Sequence, residues 1–398
     1  MSITPITDLD VSGKTLVVRA DLNVPMQDGR VSDATRITRF ADGMKPLLAK
    51  GARLVILSHF GRPKGQVVPE YSLSNIVNEL ADALDCPLAF GMSCVGPDIE
   101  SAAKNLTNGT AMLCENLRFD PREEANDSGF ASALAGLGDI YVNDAFSCAH
   151  RAHASTSAIV GFLPATAGPL LNTEINALTD ALEAPKRPSV AIVGGAKISS
   201  KIPVLKNLVS KLDAVIIGGA MANTFLFEDG APMGTSLYEK DQGDTVREIR
   251  AMAAKSGCKV LLPADVVCSP EFKAGATATV TANDGCPEDQ MILDAGPQAL
   301  ADFTEVLKAS KTILWNGPLG AFEIPPFDMG TTGLARAAAR LVKDGSAVAV
   351  AGGGDTVSAL IGAGVADDFT YVSSAGGAFL EWLEGRELPG IAALNRIT

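Results

Sequence analysis

Several shortages narrow the reading of this 398-residue chain before any motif is weighed. Basic side chains are scarce: 33 Lys and Arg stand against 46 Asp and Glu, a formal charge of −13. The portions before and after Leu170 are each acidic, which argues against a nucleic-acid or anionic-membrane surface as the main partner. Long apolar runs are lacking, and no stretch reaches the ~18 residues needed to span a bilayer. The opening MSITPITDLDVSGK shows no basic segment leading into an apolar one, as a secretory signal would. Paired cysteines are also lacking. The seven (86, 94, 114, 148, 258, 268 and 286) are odd in number and contain no Cys-x-x-Cys, so zinc and dithiol chemistry are disfavoured. A reducing cytoplasm is the expected location, with the thiols serving as small buried apolar groups.

What is present is a globular balance, 47% hydrophobic and 20% charged, long enough for two or three domains. Val-, Ile- and Leu-rich runs read as strands at 16–19, 54–58, 111–114, 140–142, 190–193, 214–217, 260–262, 313–315, 347–351 and 371–373. Helical spacing between them, as at 35–50, 73–84, 244–255 and 332–343, predicts α/β architecture with mostly parallel sheets. Ten strands are many for one sheet, so two sheets are expected. Prolines 164, 169, 185 and 188 flank a polar-apolar stretch at 173–183 that reads as a connecting helix. The expected organisation is a lobe at 1–170, a connecting helix at 171–187, a lobe at 188–385 and a tail at 386–398.

Glycine clusters follow predicted strands in the second lobe: Gly194-Gly195-Ala196-Lys197, Gly218-Gly219-Ala220 and Gly352-Gly353-Gly354-Asp355-Thr356. Such strand-to-helix turns let peptide N–H groups and a helix N-terminus approach phosphate, although any one of them could be no more than a tight turn. No G-x-x-x-x-G-K-S/T or G-x-G-x-x-G fingerprint occurs. Lys197 and Lys201, four apart where a helix could begin, would present two ammonium groups on one face. Asp355 is either a helix N-cap or a metal-holding carboxylate. In the first lobe Arg36, Arg62, Arg118 and Arg151 occupy loops after strands, and all three histidines (59, 150 and 153) fall in two of those loops. Together they suit a small polyanion, phosphate or carboxylate.

These strings, in order over nearly the full length, resemble the phosphoglycerate kinase family: ADLNVPMQDGRVSDATRI (20–37), SHFGRPKG (58–65), ENLRFDPREE (115–124), YVNDAFSCAHRAHAST (141–156), GGAKISSKI (194–202), GGAMANTF (218–225), LDAGP (293–297), WNGPLGAFE (315–323) and AGGGDT (351–356). The resemblance implies two Rossmann-like lobes joined by a hinge helix, with the tail returning to the first lobe, and a monomeric glycolytic enzyme. Asp21, Asn23, Arg36, His59, Arg62, Arg118 and Arg151 would hold 3-phosphoglycerate or 1,3-bisphosphoglycerate, with His153 in the same patch. Lys197, Lys201, Gly218 and Gly352 to Thr356 would hold MgATP or MgADP, with Asp355 the magnesium ligand. Asn316, Pro318 and Glu323 would line the nucleoside site. Arg36, Lys197, Gly353 and Gly376 would stabilise the transferring phosphoryl group.

Three sites, four residues in all, depart from the family pattern. Ala375 stands where a glycine is usual, so a positive φ there would strain it; Ala220 replaces a common glycine, and Ser147-Cys148 a frequent Gly-Thr. Two other classes describe similar raw features. A dinucleotide-dependent oxidoreductase would lack its fingerprint here, and a non-catalytic two-lobed anion receptor would have no need of Lys197 or the Asp355-Thr356 turn.

Overall fold

A computed structural model describes residues 3–396 of the chain. It divides into two compact units, parting between Ile175 and Asn176 and again between Arg386 and Glu387, so that residues 387–396 pack with the first unit. In chain order, the first unit carries β1 (Thr15–Arg19), the hairpin β2 (Met26–Gln27) and β3 (Arg30–Val31), α1 (Thr35–Ala49), β4 (Arg53–Leu57), α2 (Val77–Leu84), β5 (Leu88–Gly91) and α3 (Pro97–Lys104). It continues with β6 (Ala111–Cys114), the short α4 (Pro121–Glu124), α5 (Ser128–Ala135), β7 (Ile140–Asn143), β8 (Ala165–Ala167) and the start of α6 (Pro169–Leu178).

Six of these strands form a parallel sheet in the order β5-β6-β4-β1-β7-β8. Every residue of β1, Thr-Leu-Val-Val-Arg, is buried, as expected of a strand covered by helices on both faces. α1 buries Ile37, Phe40, Ala41, Met44, Leu47 and Leu48, the spacing of one apolar stripe. That stripe seats the helix on the core and thereby places Arg36 in its first turn.

The chain passes between units inside α6, which runs on as a π-helical turn, Thr179–Glu183. The second unit then carries β9 (Ser189–Val193), α7 (Ile202–Lys211), β10 (Ala214–Ile217), α8 (Gly219–Glu228), α9 (Gly243–Ser256), β11 (Lys259–Leu261), β12 (Asp265–Ser269), β13 (Thr279–Ala282) and β14 (Met291–Ala295). After these come α10 (Pro297–Ala309), β15 (Thr312–Asn316), α11 (Met329–Lys343), β16 (Val348–Gly352), α12 (Gly354–Gly362), β17 (Tyr371–Ser373) and α13 (Gly376–Leu383). Its main sheet is again six-stranded and parallel, β11-β10-β9-β15-β16-β17. Finally α14 (Pro389–Asn395) lies in the first unit, where Gly390 N donates to Ala149 O at 2.9 Å.

The ten strands expected from the sequence all form, and in two sheets. The structure adds β5, β8, the hairpin, and a small antiparallel sheet β13-β12-β14 in the second unit. β13, Thr-Val-Thr-Ala, is mostly exposed, so it carries no apolar run to announce it. In both main sheets the first strand of the unit, β1 or β9, has neighbours on either side reached by opposite excursions, which opens a crevice at the carboxyl edge. The candidate residues all follow those edges.

Because Phe40 is only 1% exposed within the first core, Phe40→Ala is expected to lower unfolding free energy by ~3–5 kcal/mol. Urea denaturation should show the midpoint falling with an unchanged slope.

Candidate active site

In the first unit the loops after β1, β4, β6 and β7 interlock. The Arg36 guanidinium donates to Asp21 Oδ2 at 2.7 Å and to Asn23 O at 3.1 Å. The Ser147 hydroxyl donates to the same Asp21 oxygen. Burial opposes ionisation of Asp21, but the Arg36 guanidinium, the Ser147 hydroxyl and Arg19 hold its carboxyl below the usual carboxylate range. The Gly61 peptide joins two further candidates: its N–H donates to Asn23 Oδ1 at 2.9 Å and its carbonyl accepts from Arg118 Nη1 at 2.9 Å. Arg62 and Arg151 are exposed.

Beneath this layer lies a residue the sequence reading passed over as a strand terminus. Arg19, the last residue of β1, is 1% exposed. Its Nε donates to Ser155 Oγ at 2.9 Å, its Nη1 to Ala20 O, and its Nη2 to His59 Nδ1 at 3.1 Å and Cys148 Sγ at 3.6 Å. Ser155 passes the interaction on, donating from Oγ at 2.6 Å and from N at 3.0 Å to the buried carboxylate of Glu123. Arginine has donors only, so His59 Nδ1 must be the acceptor and the ring proton sits on Nε2. Burial and Arg19 push the His59 pKa well below its ordinary value, with Arg118 and Arg36 adding to the effect. Burial, followed by Arg19, Arg118, Arg151 and His150, pushes His153 down to about 4. Both rings are therefore neutral near pH 7, and the positive charge of the patch is carried by guanidinium groups. Arg19, Arg118 and Arg36 all act electrostatically on His59, and Arg19, Arg118 and Arg151 on His153, so several guanidinium groups contribute to the field around these two rings.

In the second unit, three turns at the carboxyl edge of the main sheet are cross-braced. Lys201 Nζ donates to Gly194 O at 2.7 Å, Asn316 O at 3.1 Å and Asn316 Oδ1 at 2.7 Å. Asn316 Nδ2 reaches Gly352 O at 2.8 Å, and Gly317 N donates to Thr356 Oγ1 at 2.7 Å. Asn316 and Thr356 are thus buried braces. Burial pushes the Lys201 ammonium down to about 8, against an upward pull from Asp355. Glycine is required where these turns close. Gly353 has φ +98, and a Cβ at Gly218 would overlap Leu319.

The expectation of a helix face carrying Lys197 and Lys201 is overturned. α7 begins at Ile202 with a proline in its first turn, and Lys197 is exposed in the preceding loop. Asp355 is not a helix cap either, since Gly353 occupies that position in α12 and makes no side-chain cap bond. The Asp355 carboxylate has no hydrogen-bond or ion-pair partner among the described residues and lies exposed at a helix start. It is a hard oxygen donor free to hold a divalent cation together with phosphate. Ala375 has φ −100, so the alanine there is unstrained, and Gly376 opens α13 without a side-chain cap.

A cavity of about 430 Å³ lies beside these turns within the second unit. Ala220, Leu237, Phe272 and Leu319 give it apolar walls, and Pro318, Glu323 and Asp355 also line it. Its size suits one small ligand. β14 of the small antiparallel sheet forms part of the wall, so the string LDAGP, given no role in the sequence, contributes to the cavity.

A family model described as phosphoglycerate kinase matches residues 6–386. Phosphoglycerate kinases of Ruegeria sp. (strain TM1040) and Rhodospirillum centenum are each 54% identical to the chain, covering 98% and 99% of it and 98% and 100% of their own lengths. The solved structure of phosphoglycerate kinase from Coxiella burnetii superposes with a TM-score of 0.92 at 40% identity, covering 100% of this chain and 99% of that one. That from Pyrococcus horikoshii OT3 gives 0.78 at 28%, with 98% of each chain covered. With two glycine-edged parallel sheets and identities of this extent, the chain belongs to the phosphoglycerate kinase family.

Proposed function

We propose that the chain transfers a phosphoryl group reversibly from the acyl phosphate of 1,3-bisphosphoglycerate to ADP, giving 3-phosphoglycerate and ATP. The observation that carries this reading is the division of labour between the units: a guanidinium patch with neutral histidines on one, and uncapped helix starts beside an apolar cavity on the other. In this reading Arg36, Arg62, Arg118 and Arg151, with Asp21, Asn23, His59 and His153, hold the phosphoglycerate. The Nε2–H of neutral His59 serves as a donor to an oxyanion. The cavity takes the nucleoside, with Pro318 against the base and Glu323 accepting from ribose hydroxyls. The phosphates lie at the starts of α12 and α13, where the first peptide N–H groups have no intrahelical acceptor.

In the reverse direction the nucleophile is a carboxylate, ionised at pH 7 given an ordinary pKa of about 4. No general base is needed, which agrees with histidines that stay neutral and are tied to structure. The barrier falls through positioning and charge stabilisation of the transferring group. Arg36, Lys197 and the amides at Gly353 and Gly376 supply that stabilisation. Lys201 adds its charge from the brace between Gly194 and Asn316. Magnesium, arriving with the nucleotide and held at Asp355, would neutralise phosphate charge. Among the described residues no helix is long and apolar enough to cross a membrane; we place the enzyme in the cytoplasm, acting as a monomer.

Arg36→Ala should lower kcat about a hundredfold or more, the usual effect of losing one oxyanion contact, while ADP affinity by calorimetry stays unchanged. Equal losses in both would reassign Arg36. Nucleotide affinity is expected to fall as pH rises through about 8, because the unliganded Lys201 ammonium loses its proton there and phosphate prefers the charged form. Lys201→Met should bind more weakly and without that pH dependence. Since acceptor and donor are held on different units, transfer calls for a closing motion about the α6 segment. Solution scattering with both substrates saturating should show a smaller radius of gyration than either substrate alone.

A further inference from the structure

The string Leu293-Asp294-Ala295-Gly296-Pro297 is so far without a role. Asp294 lies in β14 at 2% exposure, and no basic side chain pairs with it among the described residues. Its Oδ2 accepts from Gly330 N at 2.7 Å and its Oδ1 from Ala295 N at 2.9 Å. Gly330 is in the first turn of α11, whose N-cap residue, Asp328, makes no side-chain cap bond. A neighbouring strand thus supplies the acceptor that the helix start lacks. The carboxylate also packs so closely on Gly320 and Gly330 that a Cβ at either would overlap it. Two further bonds tie the same parts together: Ala321 N to Leu293 O at 2.8 Å, and Leu319 N to Thr331 Oγ1 at 3.0 Å. Strand β14 and loop 318–323, both walls of the cavity, therefore meet α11 at one side chain. Burial pushes that carboxyl up to about 7 against the pull of its two N–H donors. A space-filling role would be served as well by an uncharged residue of the same shape.

We propose that Asp294 is a positioning residue for the nucleotide, holding β14, loop 318–323 and the start of α11 in the arrangement that shapes the nucleoside cavity. The inference rests on the cavity being the nucleoside site, and the test separates the two. Asp294→Asn keeps size and one acceptor but turns an NH₂ towards one of the two peptide N–H donors, leaving a buried donor unpaired. It should raise KM for ATP about tenfold while kcat and KM for 3-phosphoglycerate stay within about twofold. Gly320→Ala presses on the same carboxylate, and on the backbone of Leu293 and Asp294, from the loop side and should act in the same way if Asp294→Asn does not fold. Ala220→Phe, which fills the cavity, serves as the control. If it leaves KM for ATP unchanged, the nucleoside assignment falls, and this inference with it. If it abolishes ATP use while Asp294→Asn and Gly320→Ala leave KM for ATP unchanged, Asp294 alone loses its role. Parallel losses in kcat, both KM values and melting temperature would mark Asp294 as general scaffolding and overturn the proposal.

Discussion

A guanidinium removed from water must find acceptors in the protein, and in the first unit that demand, set by Arg19, organises the candidate acceptor site. Its partners come from the loop after β4, the loop after β7 and the turn carrying Ser155, so satisfying one buried cation draws these segments together. Glu123, held through Ser155, supplies the opposite charge without which burial would be severely unfavourable. The arrangement also decides protonation: His59 accepts from Arg19 and stays neutral, and its remaining proton is turned to Nε2.

The second unit meets its own version of the same problem with Lys201. This ammonium bridges two strand-end turns through the Gly194 carbonyl and through the carbonyl and side chain of Asn316. Asn316 extends the brace to Gly352, and Thr356 closes it on Gly317. Glycine-rich turns have little side-chain packing of their own, so polar braces of this kind keep their N–H groups aimed. Preorganised donors are the form of stabilisation that phosphoryl transfer most needs.

Much of this was legible in the residues. Parallel strands buried on both faces must be nearly continuous in Val, Ile and Leu, so ten of them could be read directly, and two sheets followed from their number. β13 and β8 escaped because a short or exposed strand, Thr-Val-Thr-Ala or Ala-Thr-Ala, lacks that run. The Lys197–Lys201 helix was misread because Pro203 favours the first turn of a helix and so moves its start to Ile202. Arg118 and the glycine turns could be singled out because charge and glycine soon after a buried strand have few other uses, whereas Arg36, expected in a loop, lies in the first turn of α1. Arg19 could not, since its side-chain partners lie 40 to 136 residues away.

Local chemistry along the chain was enough to set the strand and helix alternation, the glycine turns and the guanidinium loops, because each depends on residues a few positions apart. Which candidates turned inward as braces and which stayed exposed was settled by folding: Asn316, Thr356 and Lys201 turned inward, Asp355 stayed exposed, and Ala375 kept a negative φ. Those outcomes depend on solvent exclusion and on hydrogen-bond partners far off in the sequence, quantities that exist only once the sheets have assembled.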